Sequence, residues 1–137
     1  MATPSKAGSE APVIQAVEPH LFVTDVARSL SYYTHVLGFQ VAFTHGDPPF
    51  FAQVSRDAAR LNLRFVHQPV LERGGENDLL SVTLLVTNAR ALCLEFEAKG
   101  ARFHQGLVRQ AWHAPGHGDF VVKDPDGNLI GFVGPTD

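Results

Sequence analysis

The spacing of apolar residues changes period several times along the chain, and each change marks an element. A strand begins at Val17. Val26, Leu30, Tyr33 and Leu37 then recur at helical spacing behind Asp25, whose short carboxylate suits an N-cap. Gly38 closes this helix, because glycine enters the left-handed conformation without a side-chain clash, and Phe39 to Thr44 alternates as a strand. Two more strands, Phe50 to Val54 and Leu61 to Val66, flank a polar turn at Arg56 and Asp57. The stretch QPVLERGGEND, Gln68 to Asp78, mixes proline, glycine and charge and reads as a linker.

Beyond the linker the pattern restarts. Ser81 to Thr87 is a strand, Asn88 a second cap, and a helix runs through Leu92 and Phe96 to a closing Gly100. The phrase VTD at Val23, Thr24 and Asp25 returns as VTN at Val86, Thr87 and Asn88, sixty-three positions later. Phe120 to Val133, FVVKDPDGNLIGFV, reads as strand, tight turn and strand. A strand, a helix and three further strands, stated twice, predict an α+β fold of two βαβββ modules in tandem, about 17–67 and 79–134. The modules form a single domain over 13–137, behind a tail, 1–12, expected to be disordered. Each helix covers one face of its sheet, so the remaining faces are free to line a cavity.

Composition narrows the partners. In a chain of 137 residues, 45% are hydrophobic and 18% charged, and the net charge of −3 offers no footprint for nucleic acid. Cys93, the sole cysteine, falls within an apolar helical pattern, so a buried thiol in a reducing cytoplasm is expected. No apolar run approaches the roughly 20 residues of a membrane span, and the N-terminal stretch lacks a signal peptide's apolar core, so no membrane partner is expected.

Candidate chemistry concentrates on a few side chains. Glu18 and His20 stand two apart on the first strand and project from one face; His20 is either a ligand contact or a half-buried histidine bonded to its neighbours. Asn62 and Arg64 form a polar stripe opposite Leu61, Leu63 and Phe65, offering an amide and a rigid guanidinium fork to a carbonyl, carboxylate or phosphate-like group. Trp112 either packs over a dimer seam or forms a flat wall for an aromatic ligand, with Phe43, Phe50 and Phe51 as further wall candidates. His113 and His117 are four apart, yet Pro115, Gly116 and Gly118 exclude the helix on which that spacing would serve zinc; His113 remains a ligand-contact candidate on a loop. The turn residues Asp124 and Asp126 are structural, and no serine or cysteine nucleophile is paired with a base, so no catalytic residue is assigned.

The element order, with the stretches LFVTDVARSLSYYTHVLGF and FVVKDPDGNLIGFV, resembles the vicinal oxygen chelate superfamily of glyoxalases, extradiol dioxygenases, and fosfomycin- and bleomycin-resistance proteins. The resemblance implies that metal-dependent members carry ligands at positions corresponding to Glu18, Asn62, Ser81 and Gly131, of which only Glu18 is a strong donor. Together with Pro19, this places the nearest likeness in the metal-free bleomycin-resistance branch, in which dimers hold small molecules in grooves. The expectation is a non-catalytic homodimer without a cofactor that sequesters an antibiotic or toxic compound, with His20, Phe43, Phe51, Asn62, Arg64, Trp112 and His113 on the ligand. The alternative is a metal-dependent lyase, isomerase or dioxygenase whose divalent ion uses Glu18 and His20 in a rearranged site. An interaction module using the same groove is a third possibility.

Overall fold

Alternation and capping produce the elements of the computed structural model, which describes residues 11–70, 79–104 and 116–136. The first module comprises β1 (His20–Val23), α1 (Val26–His35), β2 (Gln40–His45), β3 (Phe51–Arg56) and β4 (Ala59–Phe65). The second comprises β5 (Leu80–Leu85), α2 (Ala89–Ala98), β6 (Arg102–Phe103), β7 (His117–Lys123) and β8 (Leu129–Pro135). The chain is of the α+β class, with strand orders β1-β4-β3-β2 and β5-β8-β7-β6. In each sheet the outer first strand runs parallel to the last and the other pairings are antiparallel.

The first strand begins at His20 rather than at Val17. Pro19 has no N–H to give a ladder, and its carbonyl instead accepts the N–H of Asn62 at 2.9 Å. Asp25 accepts the Arg28 N–H at 3.0 Å and Asn88 accepts the Ala91 N–H at 2.9 Å, so both anticipated caps start their helices. Gly38 has φ +73°, the left-handed value that closes α1's exit. Most of the expected tail, most of the linker, and Trp112 and His113 lie outside the described residues.

Both modules feed one core. Leu21, Val23, Tyr33, Val54, Leu61 and Leu63 from the first join Phe96, Phe120, Val122, Ile130 and Phe132 from the second. Burying each large side chain contributes about 1.5–3 kcal/mol. Phe96 meets Phe120 and Phe132 edge-on, with ring centroids 5.9 and 5.2 Å apart.

The DPDGN turn fastens this arrangement. Asp124, fully buried, accepts hydrogen bonds from Tyr33 Oη and Asn128 Nδ2 at 2.9 Å each, and from the N–H groups of Asp126 and Asn128 at 2.9 and 2.8 Å. Asp126 accepts from Thr24 Oγ1 at 2.6 Å, and Asn128 donates to the Phe22 carbonyl at 3.0 Å. The turn of the second module is thereby tied to β1 and α1 of the first. Burial pushes the Asp124 carboxyl above the usual carboxylate range against the pull of its hydrogen bonds, and burial likewise pushes the Tyr33 hydroxyl well up. A second tie is more exposed: Arg56 donates two hydrogen bonds to Glu95, at 2.8 and 3.1 Å.

Candidate functional site

The period of two sends Leu21, Val23, Ala52, Val54, Leu61 and Leu63 into the core, so the intervening side chains must line the opposite face of the first sheet. Strand register arranges them in rows. One row runs His45, Phe51, Arg64, Phe22; the next holds Gln53, Asn62 and His20, with Phe43 opposite Gln53 beyond a bulge in β2. Four separate strands thus place an aromatic wall beside a polar patch.

The aromatic wall is ordered by ring contacts. Phe43 and His45 both stack on Phe51, with centroids 6.1 Å away and interplanar angles of 24° and 28°, and His20 is tilted against Phe51 at 6.0 Å. A cavity of about 670 Å³ opens here, lined by His45, Gly46, Phe50, Phe51, Arg64 and Phe65. Its volume falls within the range of small-molecule pockets.

The polar patch is a connected amide network. Gln53 Nε2 donates to Asn62 Oδ1 at 3.0 Å and to Glu18 Oε1 at 3.2 Å, while Asn62 Nδ2 lies 3.4 Å from His20 Nε2. Gln53 and Asn62 are 8% and 5% exposed, so their network is fixed before any ligand arrives. Arg60 Nη1 sits 3.7 Å from the other Glu18 oxygen. Such a face can stack a planar body and hydrogen-bond its polar edge.

Of the residues singled out in the sequence, His20, Phe43, Phe51, Asn62 and Arg64 are brought onto this one face. Trp112 and His113 lie outside the described residues. Sequence reasoning passed over Gln53, Phe22 and His45. Gln53 carried a signal, since Phe51, Gln53 and Ser55 alternate with Ala52 and Val54. His45 carried none, because its stacking on Phe51 depends on a cross-strand pairing.

A divalent metal fits this site poorly. Glu18 is engaged by Gln53 and Arg60, and Asn62 offers only an amide. Gly131, with no donor at all, is so placed that even a Cβ would come within 3.2 Å of Thr83 Oγ1 and 3.3 Å of Leu80 Cδ2. Among the described residues, no three His, Cys, Asp or Glu side chains are grouped to hold an ion.

A second groove, of about 740 Å³, lies between the β3–β4 turn and the second module and is lined in part by Phe39, Leu84, Leu92 and Phe96, with the Arg56–Glu95 pair in its wall. There Arg56 and Glu95 already pair with each other at 2.8 Å.

The sequence pattern of the Glyoxalase/Bleomycin resistance protein/Dioxygenase superfamily matches residues 14–132. The chain belongs to this superfamily. Its paired-module fold recurs in TnmS3, an antibiotic binding protein from Streptomyces sp. CB03234, at 20% identity and TM-score 0.68, covering 92% of this chain and 99% of that one. It also recurs in the bleomycin-binding protein of Streptomyces verticillus, complexed with copper(II)-bleomycin, at 20% identity and TM-score 0.66, covering 90% and 98%. TioX from Micromonospora sp. ML1 shares it at 18% identity and TM-score 0.67, covering 88% and 98%. None of the curated proteins matches the chain. At these identities the likeness establishes the superfamily fold. No helix among the described residues is long and apolar enough to cross a membrane.

Proposed function

We propose that this superfamily member is a non-catalytic binding protein for a planar, partly aromatic small molecule, an antibiotic or toxic compound that it sequesters. The observation that carries the reading is the union of the Phe43–Phe51–His45 stack with the Gln53–Asn62–His20 network on one face. Stacking contributes about 0.5–1.5 kcal/mol beyond burial, and the preformed amides fix orientation without ordering cost. Sequestration requires affinity and no bond-making step, which suits a face on which, among the described residues, no three metal-binding side chains converge. The antibiotic-binding and bleomycin-binding proteins of the same fold lend support.

The face is shallow and leaves Phe22, Phe43 and Phe50 37%, 40% and 57% exposed. A second copy of the chain closing over it would bury these rings and complete the groove, so the working form proposed is a homodimer. A cytoplasmic setting accords with a buried Cys93 as the sole cysteine.

A thermal-shift screen of antibiotics and aromatic metabolites, run with and without divalent metals, tests the reading. A compound at 100 times its Kd stabilises by about 2.7 kcal/mol, a rise in Tm on the order of 10 °C for this size. The rise is expected to be equal in both arms, with the compound recovered unchanged. Turnover of a hit only when metal is present would establish the lyase, isomerase or dioxygenase alternative instead.

A further inference from the structure

Building on that binding reading, we infer that the ligand carries an acidic group, a carboxylate, sulfonate or phosphate on its aromatic body, and that Arg64 is the residue that selects it. The charges on the face are unequally engaged. Its carboxylate, Glu18, accepts from Gln53 through one oxygen and sits 3.7 Å from Arg60 through the other. The Arg64 side chain has no hydrogen-bond or ion-pair partner among the described residues, although other arginines, Arg28, Arg56 and Arg60, each meet a carboxylate.

The placement of Arg64 is specific. Its register partners are Phe22 on β1 and Phe51 on β3, so the guanidinium emerges between two aromatic residues. It also lines the cavity with His45, Phe50 and Phe51. Arg64 is exposed, and a ligand seated against the flanking rings would displace water from it, which strengthens charge attraction. A guanidinium also presents paired donors matched to two oxygens of an acidic group. The Phe51 and Arg64 backbones lie one strand spacing, about 4.8 Å, apart with both side chains on the same face, so an acidic group carried on a ring that packs against Phe51 falls within the reach of the Arg64 side chain. The surplus cation opposes the chain's overall charge of −3, so the anion preference is local to this face.

Calorimetric titration with 2-naphthoate and with 2-naphthamide, which share a ring system and differ in charge, tests the assignment on the full chain. The wild-type chain is expected to bind the naphthoate about tenfold more tightly. That preference should shrink as salt rises from about 50 to about 500 mM. Arg64→Gln should reduce it to within twofold by weakening the naphthoate far more than the naphthamide, and Arg64→Lys should retain part of it. Phe51→Ala should weaken both probes alike. Equal wild-type affinities, or a preference that survives Arg64→Gln in a folded variant, would overturn the assignment and leave the cavity reading standing. If neither probe binds, the cavity reading falls and the assignment falls with it.

Discussion

The two modules are built on one plan and carry different chemistry. Their caps adopt nearly the same backbone, Asp25 at φ −154°, ψ 100° and Asn88 at φ −152°, ψ 96°, and each helix has 10 residues. Each sheet sets its first strand parallel to its last. Yet the row His20, Asn62, Gln53 of the first module corresponds, by register, to Thr83, Gly131, Val121 in the second. The row Phe22, Arg64, Phe51 likewise corresponds to Leu85, Val133, Asp119. The core side of each strand maintains the fold, and the opposite side is free to differ. The fold therefore holds in a chain whose second module has one polar side chain, Thr83, in the row where the first has three.

The comparison breaks most severely if the modules are uncoupled. Asp124→Ala should cost about 3 kcal/mol, because the Tyr33 hydroxyl and the Asn128 amide would be left buried without their acceptor. Chemical denaturation should show one lowered transition that includes both modules; two separate transitions would mean the shared core does not couple them.

Making the first module resemble the second sharpens the contrast. Gln53→Val, copying Val121, removes the donor that joins Asn62 to Glu18. Affinity for the best screened compound should fall about tenfold, equivalent to about 1.4 kcal/mol, and stability should fall by about 1–3 kcal/mol because the buried Asn62 Oδ1 loses its donor. An unchanged Kd would move the ligand off this face.

The reverse exchange gives the second module the carboxylate of metal-dependent relatives. Gly131→Glu should cost about 1–3 kcal/mol through crowding against Thr83 and Leu80. Elemental analysis should show no stoichiometric divalent ion bound, since a single added carboxylate leaves the donor set incomplete.

The smallest effect distinguishes the two ties between modules by pH. The folded-state pKa of Asp124 is raised, so its stabilising contribution is complete below the ordinary carboxylate range and diminishes as pH rises through the folded value. Glu95 is lowered, chiefly by its hydrogen bond from Arg56, so its contribution is present above the ordinary range and is lost as pH falls. Arg56→Gln should therefore remove a few tenths of a kcal/mol near neutral pH and less in acid. Asp124→Asn should flatten the opposite slope, read as Tm against pH.

The sequence displayed the fold well because its signals were local. Asp25, Asn88, Gly38 and the alternation of β4 each act within a few residues, and the VTD and VTN repeat doubled the evidence. The start of β1 was misjudged because Pro19 interrupts an otherwise strand-like run. The site was only half legible. Asn62 and Arg64 announced themselves as a stripe within one strand, but the Phe43, His45 and Phe51 stack and the Gln53 bridge arise from pairings between strands distant in sequence. The DPDGN turn read as a plain reversal, and its fastening of α1 through Tyr33 depends on contacts 91 residues apart.

Calorimetric titration of the best screened compound into chain stripped with a strong chelator tests the central claim most directly. The account predicts saturable binding with the affinity of untreated protein and recovery of the compound unaltered. Binding that vanishes after chelation and returns with a stoichiometric divalent ion would contradict it.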